Sequence, residues 1–129
     1  MNLIEIYEQY VDINNDYAAW IEALVNEDFQ NDAPPLIKIR LQDTKEQFEK
    51  LMEACSNLEV SAEDEENFKD LRYLLMDSIF LAGDLLAFYN VEELGRFKMR
   101  VLNYLNKKRR ADIFGEKPGD SCRAGMLEQ

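Results

Sequence analysis

Glu63 and Glu66 stand three residues apart, so on a helix their carboxylates share one face. Such a pair could help hold a magnesium ion for hydrolysis of a nucleotide pyrophosphate, provided a Glu-x-x-Asp on the next helix adds further oxygens. No Glu-x-x-Asp follows, and both glutamates fall in the first turn of their helix. Asp70, Asp77 and Asp84 recur every seven residues, so they line one narrow strip that reads as a solvent-facing edge rather than a ligand cluster. The chain contains no histidine. That excludes Glu-x-x-His di-iron centres, His-Glu-x-x-His zinc helices and every proton relay through imidazole. The glycines are scattered, with none before Gly83, so there is no phosphate-cradling loop and no Gly-x-Ser-x-Gly elbow. The expectation is a protein with no catalytic residue, no cofactor and no bound metal. Magnesium-dependent carboxylate hydrolysis through Glu63 and Glu66 is the one enzymatic alternative.

The remaining reactive and charged groups point the same way. Cys55 falls on an apolar helical stripe, where a thiol acts as a small hydrophobe. Cys122 sits in the polar run Gly119-Asp120-Ser121-Cys122-Arg123. Two thiols without histidine make neither a disulfide framework nor a zinc site, and they suit the reducing cytoplasm. Of 129 residues, 26 are acidic and 15 basic, a net charge of -11. Residues 1–89 hold 20 acidic and 6 basic residues, a net of -14, whereas residues 90–129 are net +3. Such an acidic bulk repels phosphate, so no nucleic-acid partner is expected, and it favours basic partners. Lys107-Lys108-Arg109-Arg110 has no interleaved aromatic residue and reads as a cationic helix end that suits the dipole. No uninterrupted apolar run approaches the roughly 18 residues of a membrane span. Met1-Asn2-Leu3-Ile4-Glu5 lacks the basic start of a signal peptide.

Apolar residues recur at helical spacing throughout. About residues 2–27, Leu3, Ile6, Tyr10, Ile13, Tyr17, Trp20 and Leu24 alternate in threes and fours, and only Asn14 interrupts the face. The aromatic stripe Tyr10, Tyr17 and Trp20 reads as core. A second helix over about 35–57, with Pro34-Pro35 in its first turn, carries Ile37, Leu41, Thr44, Phe48, Leu51, Cys55 and Leu58. Glu46 and Lys50 are placed for a pair along it. A third starts at Ser61 as a hydroxyl cap and runs to about Tyr89, with Phe68, Leu71, Leu75, Ser78, Ala82, Leu85 and Tyr89 in heptad register. Asn90, with Glu93 three residues on, caps a fourth that shows Val91, Leu94, Val101, Leu102 and Leu105, with Phe97 and Tyr104 alongside, and ends near Asp112. Four comparable helices with short connections predict an all-α, antiparallel up-and-down four-helix bundle over residues 1–113, with a loose tail over 114–129. A continuous helix through Asn90 would instead give a helical hairpin that dimerises into a bundle.

A bundle helix needs an apolar stripe about 100° wide, and the third helix carries far more. Once its heptad set is inside, Tyr73, Met76, Phe80 and Ala87 remain. Either that helix is central among three neighbours, or this set meets another protein or a second copy. Methionine and aromatic side chains suit an adaptable contact surface. The expected function is a non-enzymatic protein-binding module, an adaptor or chaperone. The alternative is an acidic inhibitor or immunity-type protein that binds a basic partner, or a nucleic-acid mimic. The run Ile21-Glu22-Ala23-Leu24-Val25-Asn26-Glu27-Asp28-Phe29, then Arg40 on the next helix, then a long apolar helix, is similar in layout to bacterial secretion and flagellar export chaperones. That resemblance implies masking of an amphipathic helix in an exported protein.

Overall fold

A computed structural model describes residues 1–114 as α1 (Leu3–Asn26), α2 (Pro34–Ser56), α3 (Glu65–Asn90) and α4 (Leu94–Phe114), with a 3-10 turn, Ala62–Asp64, ahead of α3. The helices pack as an all-α four-helix bundle, with no strand among the described residues. None of the described helices is long and apolar enough to cross a membrane. Residues 115–129 lie outside the described residues, and with them Cys122 and all but the first residue of the expected tail.

Side-chain contacts fix the helix directions. Arg40 lies over the Trp20 ring at 4.6 Å, and Phe48 meets Tyr10 and Tyr17 at 6.2 and 6.0 Å, so α2 descends as α1 rises. Lys45 lies beside Gly83, Asp84 pairs with Arg100, and Tyr104 meets Asn14, so α3 rises and α4 descends against α1. Consecutive helices are neighbours and α4 closes the ring against α1; of the two diagonals, α1 and α3 touch lightly, and α2 and α4 do not meet among the described residues. The core is the union of the helical stripes. The α2 face is Ile37, Leu41, Thr44, Phe48, Leu51 and Cys55, as its spacing requires. At one end Phe29 packs edge-on against Phe97 at 5.0 Å and also meets Tyr89.

The helix ends depart from expectation. Asn90 does not cap α4; it is the last residue of α3. There Val91 is the cap, Glu92 is left-handed at φ 60°, and the N–H groups of Glu92 and Glu93 donate to the carbonyls of Tyr89 and Phe88. This is a Schellman stop, which satisfies carbonyls left free at a helix end. Val91 is therefore exposed, and the inner stripe of α4 is Phe97, Val101 and Leu105, with Leu102 turned outward. Ser61 caps only the 3-10 turn, and its hydroxyl donates to Asp64 Oδ2 instead of accepting from the backbone. On α2 the pair formed is Lys45 with Glu49 at 2.8 Å, while Glu46 accepts from Gln42. The fourth helix runs to Phe114, past Asp112, so Lys107–Arg110 is not its last turn, and Arg109 reaches across to Glu22.

Candidate functional site

The inner face of α3 is Leu71, Leu75, Ser78, Leu81, Ala82 and Leu85, all buried. That stripe holds the helix against its neighbours and turns the opposite face outward. Tyr73 is 72% exposed, Phe80 59% and Met76 39%, and Ala87 is exposed as well. Positions 73, 80 and 87 lie two turns apart, so the four side chains form one ridge about 21 Å long. Asp77 and Asp84 run along the edge nearer α4, where Arg100 Nε donates to Asp84 Oδ2 at 2.9 Å. Along the other edge lies α2, whose Lys45 stem covers Gly83 on its way to Glu49. The ridge is thus apolar on its crest, acidic on one side and bounded by a satisfied ion pair on the other.

The other candidate residues are placed apart. Glu63 and Glu66 are exposed, one in the 3-10 turn and one in the first turn of α3. Among the described residues no three Cys, Asp or Glu side chains come close enough to hold a metal ion. Trp20 is buried beneath Arg40. Cys55 is buried, and burial pushes its thiol up, partly offset by Arg72. A groove of about 620 Å³ opens between the N-terminal turns of α1 and α3, lined by Leu3, Ile4, Tyr7, Leu71 and Leu74 together with the polar Asn2, Asp64 and Asn67. A shallower one of about 510 Å³ joins the start of α2 to the end of α3 at Ile39 and Leu86.

One feature is not evident from residue spacing. Asn14 Nδ2 donates to Ser78 Oγ at 3.2 Å, and Tyr104 Oη donates to Asn14 Oδ1 at 3.2 Å, which ties α1, α3 and α4 together inside the core. Tyr10 also bonds Ser78, whereas the buried Tyr17 hydroxyl has no partner. Burial, with Tyr104 nearby, holds both phenols well above their ordinary range. The signal available in the sequence was a lone asparagine on one apolar stripe and a serine in the heptad set of another.

Charge is distributed by element. The span Leu94–Phe114 carries seven basic residues and one acidic. It supplies the cations of three ion pairs that cross to other elements: Lys98 with Asp28, Arg100 with Asp84, and Arg109 with Glu22. The acidic bulk of residues 1–89 therefore finds part of its basic complement within the chain. Comparison with protein-family models, curated proteins and solved structures finds no match to this chain.

Proposed function

We propose that this protein is a non-enzymatic protein-binding module of the cytoplasm, an adaptor or chaperone that presents the outer face of α3 to a partner. The observation that carries this reading is the exposure of Tyr73, Met76 and Phe80 together on one ridge of a helix whose other face is fully packed. Single exposed apolar residues are ordinary, but a contiguous aromatic and methionine patch is a common feature of contact surfaces. The aromatic rings supply contact area with little side-chain entropy to lose, and Ala87 leaves room at one end for a bulky side chain of the partner.

The test pairs solution mass by light scattering with helicity, for the wild type and Phe80→Asp. A surface change of this kind shifts stability by only about 0.5 kcal/mol. Both proteins should be helical monomers. Immobilised wild type should then capture a partner from an extract that Phe80→Asp does not. Loss of helicity in Phe80→Asp, or equal capture by both baits, would remove the outer face of α3 from consideration.

A further inference from the structure

The ridge has a charged edge, and that edge discriminates between occupants. We infer that the outer face of α3 takes an amphipathic helix from another protein, with lysine or arginine beside Asp77 and Asp84, rather than a second copy of this chain. The inference rests on the reading of α3 as the binding face and names the chemistry of what binds there.

Self-pairing is opposed by symmetry. Two copies related by a twofold axis present the same patch to each other. When the two α3 helices run antiparallel, equivalent edges meet, so Asp77 and Asp84 of one copy face the same acids of the other. When they run parallel, Ala87 faces Ala87 beside Phe80 against Phe80, and a gap opens at that end. Each copy also carries a net charge of -11, which adds repulsion in either orientation. A foreign helix with a basic edge meets none of these penalties. The molecule itself illustrates the match: Arg100, on the amphipathic helix α4, already pairs with Asp84 from the α4 side. Lys69, exposed one turn before Tyr73, continues the line of the ridge itself and favours an acidic residue or a helix C-terminus of the partner there.

The probes are two synthetic helical peptides of about three heptads, with identical leucine and alanine faces. One carries lysine along its edges and the other glutamate. Binding is measured by fluorescence anisotropy on the full chain, beside light scattering of the protein alone. The lysine peptide should bind at least about tenfold more tightly than its glutamate twin. Phe80→Asp should abolish that binding although it makes the protein more negative, and Asp77→Asn should weaken it about twofold to fivefold. Equal binding of both peptides, lost in Phe80→Asp, overturns the charge selection and leaves the binding face standing. Lysine-peptide binding that survives Phe80→Asp overturns the inference, because net charge alone then attracts the peptide. A wild-type dimer that Phe80→Asp dissociates makes the occupant a second copy and overturns it as well. Failure of both peptides to bind counts against the inference and the binding face together.

Discussion

Asn14 lies in the core with both ends of its amide used, one by Ser78 and one by Tyr104. A buried hydrogen bond contributes little over solvent, but removing one partner leaves the other desolvated and unpaired. Asn14→Ala should therefore cost about 2–3 kcal/mol, more than Ser78→Ala, and urea unfolding of the two variants checks the order. The tyrosines beside this cluster add a pH limit. Burial raises the phenols of Tyr10 and Tyr17 above their ordinary value of 10.0. Below pH 10 they are protonated in both folded and unfolded chains, and their contribution is fully present. Above it the unfolded chain ionises first, so stability falls as pH climbs from 10 toward the folded-state values. In a chain whose other tyrosines are replaced by phenylalanine, absorbance of phenolate should rise in step with loss of helicity between pH 10 and 12. Ionisation of these two residues in a still-folded bundle would contradict their burial.

At the scale of the element, faces and approximate bounds were legible, and the caps at Ser61 and Asn90 were not. The stripe Ile37, Leu41, Thr44, Phe48, Leu51 and Cys55 is buried as its spacing requires, because a period of 3.6 leaves one face for the core. Asn90 misled because its type favours caps, while the actual stop uses Glu92 in a left-handed conformation that ordinarily calls for glycine. The role of Asn14 was not legible because its partners lie 64 and 90 residues away, beyond any local rule. Tyr73 and Phe80 were legible as a surplus, since apolar residues outside a completed stripe must face either another helix or solvent. These helix ends carry a prediction. Left-handed backbone costs a non-glycine residue about 1–2 kcal/mol, and glycine's own entropy returns part of that. Glu92→Gly should stabilise the bundle by about 0.5–1 kcal/mol, as should Ala33→Ser, which provides α2 with the side-chain cap it lacks. Thermal unfolding of each variant measures the gain. A loss from Glu92→Gly would mean the connection between α3 and α4 is held by something other than its backbone geometry.

At the scale of the whole molecule, two electrostatic effects oppose each other. Residues 1–89 carry a net charge of -14 within one bundle, and that repulsion acts over long distances. Basic α4 works against it through contacts as short as 2.6 Å for Lys98 with Asp28 and 2.9 Å for Arg100 with Asp84. Their ranges differ, so salt separates them. Between 0.01 and 0.1 M ionic strength the screening length shrinks from about 30 to about 10 Å, across the span of a helical bundle yet far beyond an ion-pair distance. Repulsion among distant carboxylates is lost first, while the close pairs keep most of their modest attraction. Raising salt over that interval should therefore stabilise the protein by roughly 1 kcal/mol, an increase of about 4 °C in Tm. Replacing Lys98 and Arg100 with glutamine should lower Tm most at low salt, where α4 offsets the largest repulsion, and the difference from wild type should narrow as salt is added. A wild-type Tm that falls with salt would instead show that the pairs made by α4 outweigh the acidic repulsion, and that α4 is held to the other three helices chiefly by charge.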